Sequence, residues 1–267
     1  MKNAAKKIYI ALIVLFLYAP IGTLMVLSFN ASKTRAKWGG ITFKWYGQLL
    51  HNDDILKAFG NTLLIALLSS VIATIIGTIA CIAMSNMKKR TRMVMLGITN
   101  IPMLNADIVT GISLMLLFIS FGFKFGLGTI LLSHITFNIP YVILSVMPRM
   151  KQLNPSIYEA AQDLGASPVT AFFKVVFPDL LPGILSGFLM AFTMSLDDFI
   201  ITHFTKGAGV DTLSTKIYTE VRKGIKPEMY ALSTLIFVTV LVLLILVNVT
   251  PARHEKTAIS GMSPDKS

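Results

Sequence analysis

The chain has 267 residues, 54% of them hydrophobic and 14% charged, where a soluble domain carries roughly 25% charged residues. With a mean hydropathy of +0.70, this composition excludes a soluble enzyme, a disordered chain and a disulfide scaffold; the single cysteine, Cys81, excludes an intrachain disulfide. The net charge of +11 is expected to lie in Lys- and Arg-rich membrane flanks facing anionic lipid, not on a nucleic-acid surface.

Six apolar runs follow along the chain, each long enough for the roughly 20 residues that a spanning helix needs. Residues 8–32, 58–87, 125–148 and 229–252 hold no Asp, Glu, Lys or Arg; residues 93–123 hold only Asp107, and 180–205 only Asp197 and Asp198. Such runs satisfy their backbone groups within a bilayer only as helices. The fold expected is therefore an all-α polytopic membrane protein with six transmembrane helices. Residues 1–58 form the first helix and an outer loop, 59–250 a core of five further helices, and 251–267 a polar tail opened by Pro251. The first run follows Lys2, Lys6 and Lys7, but its apolar stretch exceeds the ~7–15 residues of a signal-peptide core and no small-residue cleavage site follows, so it is expected to be retained. The block Lys88-Lys89-Arg90-Thr91-Arg92, set directly between two spans, is expected to stay in the cytosol. That places both termini and the 148–179 loop there as well. Cys81, in an apolar run, reads as a small buried thiol.

Several chemistries are missing. None of the 18 glycines is followed by Lys, so there is no phosphate-binding loop, and no His-Glu-x-x-His zinc pattern occurs. Ser186, between Gly183 and Gly187, lacks the spacing of a nucleophile elbow. His51, His134, His203 and His254 are scattered; no metal cluster and no catalytic residue are expected, and His134 reads as a hydrogen-bonded packing residue.

The loop between the fourth and fifth spans is the most informative segment. Asn154 or Ser156 can cap a helix, with Glu159 three residues after Ser156 in a capping box. Ala160 and Ala161 give it a small-residue face, and Gly165 is placed to end it in a left-handed conformation. Ser167-Pro168 starts a second helix, which Pro178 is expected to stop. The bland reading is an interfacial hairpin resting on lipid. The pattern Glu159-Ala160-Ala161, three residues, Gly165, nine residues, Val175-x-Phe177-Pro178 resembles the EAA loop of permease subunits of binding-protein-dependent ABC importers. Val175 and Phe177 stand where that pattern has Ile and Leu. The resemblance implies a MetI-like fold whose loop (154–178) docks on a separate ATPase through Glu159, Ala160, Ala161, Gly165 and Pro178. It also implies that ATP and Mg are bound by that ATPase and no cofactor by this chain.

Asn30, Trp45-Tyr46, Asn61-Thr62, Asp107-Ile108-Val109, Ser133 to Phe137 and Ser195-Leu196-Asp197-Asp198 extend the resemblance to spermidine/putrescine permeases, over about residues 8–250. This implies a polyamine cargo, a paralogous permease subunit, two copies of the ATPase and an extracytoplasmic polyamine-binding protein as partners.

Acids within spans cost ~2.5–3.5 kcal/mol each on insertion scales and call for a reason. Counted from Met93 and from Gly183, Asp107 and Asp197 each lie 14 residues into their spans, which is ~21 Å from the cytosolic end in straight helices; Pro102 and Asn105 are positioned to break the first of these. Polyamine ammonium groups leaving water need carboxylates, and the methylenes between them need apolar or aromatic walls. Asp107, Asp197, Asp198 and Ser195 are candidates for the first role, Trp45 and Tyr46 for the second. Against these stand helix capping for Asp107, a structural partner for one of Asp197 and Asp198, and interfacial anchoring for Trp45. Gly183-x3-Gly187 either lines an interface with a second permease or simply begins the fifth span after Pro182. Two other classes, a secondary transporter with Asp107 and Asp197 as proton relays and an intramembrane enzyme, lack an explanation for the EAA loop and a catalytic set, respectively; another small cargo for the same importer class stays open.

Overall fold

The computed structural model describes residues 2–34, 36–239, 241 and 242; the 251–267 tail, His254 and the last part of the expected sixth span lie outside the described residues. Among the described residues the structure is helical, with one isolated bridge between Asn30 and Ile41. The chain divides into two compact units, Asp54–Lys216 and the remainder before and after it.

In the second-mentioned unit, α1 (Lys2–Ser28) is apolar and is exposed from Lys6 to Pro20, and a short α2 (Lys44–Leu50) follows it with Trp45 and Leu49 buried. The last helix runs over residues 227–239, 241 and 242, so the start of the sixth apolar run is helical.

The larger unit holds the core. Helix α3 (Asp53–Ser85) is apolar all round, as a membrane helix must be, yet Ala58, Ala66, Ser69, Ala73, Gly77 and Cys81 mark one buried stripe of small residues. That stripe admits α6 (Leu127–Gln152) at close range: a Cβ on Gly77 would come within 2.7 Å of Val142 Cγ1. On the other side of α6, a Cβ on Gly187 would sit 3.2 Å from Val142 Cα, and one on Gly183 would meet Arg149 Cγ and the Ser145 carbonyl. Gly183-x3-Gly187 is thus the seam between α9 (Phe177–Asp197) and α6 within this chain, and Pro182 lies inside α9, so the pattern does not mark the start of the span. Val142, fully buried, is the knob held between the two glycine notches, in a core with Ile143, Val146 and Leu180. Cys81 is buried there too, its thiol pointing at the Ile143 carbonyl at 3.6 Å.

Two spans depart from straight helices. The third is a pair, α4 (Lys89–Leu104) and α5 (Asp107–Ser120), bent by 102°. Pro102 withholds one hydrogen bond near the end of α4, and Asn105 and Ala106 then take extended backbone angles. The fifth extends further back than expected. Helix α8 (Pro168–Ala171), a π turn over Phe172–Val176 and α9 form one 30-residue apolar stretch, so Pro178 does not stop the helix. The π turn, in which the Phe177 N–H reaches back to the Phe172 carbonyl, widens the backbone immediately before Pro178, whose missing N–H then falls at the opening of α9. At its other end the expected 180–205 span breaks at Asp198, and α10 (Ile200–Thr205) starts anew. Among the described residues, four helices are long and apolar enough to span a membrane, five with the bent pair taken as one. Helix α11 (Leu213–Lys223) stands between the fifth and sixth apolar runs; Leu213, Ile217 and Val221 recur on one face of it.

Candidate functional site

The loop after α6 folds as two capped helices. Asn154 is the cap of α7 (Pro155–Asp163): its side chain accepts from the Ser156 N–H at 3.1 Å, and Pro155 occupies the first turn. The cap is therefore two residues earlier than a Ser156–Glu159 box requires. α7 closes on Gly165, at φ +87°, with the Gly165 N–H donating to the Gln162 carbonyl and the Ala166 N–H to the Ala161 carbonyl. The left-handed turn at Gly165 is what lets the Ala166 N–H reach back, and glycine adopts it without strain. Ser167 then caps α8 by accepting from the Thr170 N–H at 3.2 Å. Glu159, Ala160 and Pro178 are exposed and Ala161 is half-buried. Beside them stand uncovered apolar side chains: Leu164 is 90% exposed, Val169 65% and Phe173 59%.

The acids of the spans occupy three different environments. Asp107 opens α5, in its first turn just past the α4–α5 bend, and is exposed. The bend removes the depth matching expected of Asp107 and Asp197, because Asp107 no longer sits partway along a straight helix. Nor does Asp107 cap by side chain: position Ala106 precedes the helix without a side-chain bond. Its carboxylate instead meets the positive end of the helix dipole. Asp197 is the last residue of α9 and is exposed.

Asp198 is engaged. Its Oδ1 accepts from the Ile201 N–H at 3.2 Å, and its Oδ2 accepts from the Thr202 N–H and hydroxyl, each at 2.8 Å. Its carbonyl accepts from the Ser214 hydroxyl at 2.6 Å. By drawing the first N–H groups of α10 onto a side chain, Asp198 offers the backbone an alternative to continuing α9, which accounts for the break.

A buried polar chain runs on from there. His134 Nε2 lies 2.9 Å from Thr202 Oγ1 and 3.4 Å from Asp198 Oδ2, and Nδ1 lies 2.6 Å from Ser195 Oγ. Ser195 in turn is 3.1 Å from Ser69 Oγ, near Asn138. With Asp198 ionised, the Thr202 hydroxyl proton belongs to the carboxylate, so Thr202 accepts from His134 Nε2–H and Nδ1 accepts from Ser195. Ser195 is 3% exposed and His134 1%. The network ties α3, α6, α9 and α10 together; Ser195 is placed inside it, not on an open surface.

Trp45 is also inside: it is 4% exposed, and its indole N–H donates to the Asn30 carbonyl at 2.7 Å. Burial removes it both as an exposed wall and as an interfacial anchor. The Tyr46 hydroxyl shares a 2.7 Å hydrogen bond with Ser28, and its ring packs with Phe29 and Phe43 beside an apolar recess that Leu235 and Val238 also line. The sequence reading takes His134 as a hydrogen-bonded packing residue and gives one of Asp197 and Asp198 a structural partner, but it does not join them into the Ser69–Ser195–His134–Thr202–Asp198 network, because the Ser69–Ser195, Ser195–His134 and His134–Thr202 pairs lie 61 to 126 residues apart.

Residues 73–252 match the family described as the binding-protein-dependent transport system inner membrane component. The chain belongs to that family. Over 230 residues it is 38% identical to the spermidine/putrescine transport system permease protein PotC of Escherichia coli K12, covering 86% of this chain and 87% of that protein. It is also 38% identical to the putrescine transport system permease protein PotI of the same strain, covering 91% and 89%, and 33% identical to a PotC homolog of Mycoplasma genitalium, covering 90% and 89%. Among solved structures, a chain of the bacterial alginate ABC transporter, in complex with an alginate pentasaccharide-bound periplasmic protein, superposes with a TM-score of 0.72 at 17% identity, covering 92% of this chain and 91% of that one. An amino acid ABC transporter chain gives 0.58 at 17% identity, covering 80% and 100%. At that identity the structures speak for the fold alone: this chain has the all-helical fold of an ABC transporter permease and is an inner-membrane component.

Proposed function

We propose that the chain is a permease subunit of an ATP-driven importer that carries polyamines of the spermidine and putrescine class. The observation that carries this reading is the 38% identity to both PotC and PotI along nearly the whole chain. In this reading a paralogous permease completes the path, two copies of an ABC ATPase bind ATP and Mg and drive it, and an extracytoplasmic binding protein delivers the cargo. The chain itself performs no catalysis and holds no cofactor, and both termini face the cytosol.

The ATPase docks on the 154–178 segment through Glu159, Ala160, Ala161, Gly165 and Pro178. The uncovered Leu164, Val169 and Phe173 support this, since apolar side chains on a polar loop gain from a partner that buries them. Asp197 and Asp107, exposed acids without an ion-pair partner among the described residues, take the ammonium groups of the cargo. Asp198 and Ser195 hold the helix break that presents Asp197. Uptake of labelled spermidine and putrescine, in cells lacking this chain and in the same cells complemented with it, tests the reading; uptake restored for neither amine by an assembled complex would refute it.

A further inference from the structure

A groove of about 560 Å³ opens where the ends of α3 and α6 and the start of α4 meet α7, the π turn and the opening of α9. It combines two chemistries. Its floor is apolar, with Ile82 of α3 and Met147 of α6. Its rim carries Arg92 and Lys151, and one acid, Asp179. Arg92 is half-buried, yet among the described residues neither it nor Lys151 has an ion-pair partner. A partly desolvated guanidinium, with donors arranged in a fork, is matched by a phosphate or carboxylate. Even with Asp179 counted the rim is net positive, and Lys88, Lys89 and Arg90 adjoin it in sequence.

The groove also sits where apolar helix gives way to charged chain: α3 ends at Ser85, α4 begins at Lys89, and α6 reaches Arg149 and Lys151 in its last turn. Basic clefts at such a level meet lipid headgroups. On α3, Ile82 continues a stripe through Ile79 and Ile75, which are 61% and 55% exposed and lie on the same helix face. An acyl chain has an apolar track leading out of the groove.

We infer that this groove binds an anionic phospholipid, with the phosphate on Arg92 and Lys151 and one acyl chain along Ile82, Ile79 and Ile75. The lipid would tie this end of the bundle, α7 included, to the membrane surface. Asp179 opposes the phosphate, so its removal strengthens binding.

The test uses the full transport complex containing this chain, purified in detergent, delipidated, and titrated with phosphatidylglycerol, phosphatidylcholine or inorganic phosphate while retained lipid is counted by native mass spectrometry. Phosphatidylglycerol is expected to bind at least tenfold tighter than phosphatidylcholine. The variant R92Q/K151Q, which leaves the docking residues untouched, loses about that factor for phosphatidylglycerol only, and D179N gains affinity. Inorganic phosphate competes poorly because it lacks the acyl chain. Equal retention of the two lipids, unchanged phosphatidylglycerol binding in R92Q/K151Q, or weaker binding in D179N overturns the proposal. So does competition by inorganic phosphate at the lipid's own concentration, which would leave an anion site without a lipid. R92Q/K151Q is scored only on complexes that assemble; if it does not assemble, R92K and K151R, which keep the charges, must retain the lipid, and their losing it counts against the proposal.

Discussion

His134 and Asp198 face each other at 3.4 Å inside the bundle, sharing Thr202 between them, and that pairing joins α6 to the point where α9 stops and α10 begins. The two carboxylates that follow one another in sequence thereby separate: Asp198 is turned inward onto backbone and imidazole, and Asp197 is left exposed.

Replacing Asp198 by Ala should therefore lower the stability of the protein, whereas Asp197→Ala should not. Two N–H groups and a buried hydroxyl lose their acceptor, at about 1–3 kcal/mol for each buried group left unsatisfied. Thermal unfolding of the detergent-purified complex and its yield measure this. Equal melting temperatures for the two variants would remove Asp198 from its structural role.

Glycines on α3 should divide by what faces them. Gly77→Ala pushes a methyl group into Val142 and should cost about 1–3 kcal/mol as overpacking. Gly60→Ala meets nothing within 4 Å and should be neutral or stabilising by up to about 1 kcal/mol through helix propensity. The same unfolding assay compares them, and a tolerated Gly77→Ala would show that the α3–α6 seam is looser than described.

Gly165→Val should leave membrane insertion intact and impair coupling. A β-branched residue at φ +87° is strained, and relieving the strain breaks the two bonds that end α7. Co-purification with the ATPase and binding-protein-stimulated ATP hydrolysis both read the effect; normal values for both would show that this turn is not needed for docking.

How much of this was legible beforehand depended on how local the cause was. Gly165, Ser167 and Pro168 announced their roles because caps and left-handed turns are decided within four residues. Asn154 and Ser156 were equally able to cap, and Pro155 in the first turn is what goes with Asn154. Pro178 misled because a proline stops a helix only if the preceding turn is regular; the π turn over Phe172–Val176 has no signature of its own. The depth of Asp107 failed for the opposite reason, since Pro102 and Asn105 were visible but a 102° bend could not be sized from them. Gly183-x3-Gly187 declared a close contact without naming its partner, and Trp45 and Ser195 looked available because their partners, Asn30 and His134, are brought in by tertiary folding.

Sidedness is tested with single cysteines on a Cys81→Ser background. Lys89→Cys should be labelled by an impermeant reagent only after permeabilisation, and Lys223→Cys, whose native side chain is 65% exposed, in intact cells. The basic block at 88–92 is the reason. Lys216 is a poorer probe, being only 16% exposed and paired with Asp54. Reversed accessibility would put the α7–α8 loop on the wrong side for an ATPase.

The most direct measurement is uptake of radiolabelled spermidine and putrescine in cells lacking this chain, restored with either the wild-type protein or Asp197→Asn, with the assembled complex quantified in each. Asn keeps the shape of Asp and its hydrogen-bonding oxygen but cannot balance an ammonium group leaving water, a deficit of at least ~1.4 kcal/mol, or tenfold, in a wet path and more in a dry one. Wild type should restore ATP-dependent uptake, and Asp197→Asn should assemble normally and restore less than about a tenth of it. No uptake of either amine by an assembled wild-type complex would contradict the polyamine assignment, and full uptake by Asp197→Asn would contradict the role of that carboxylate.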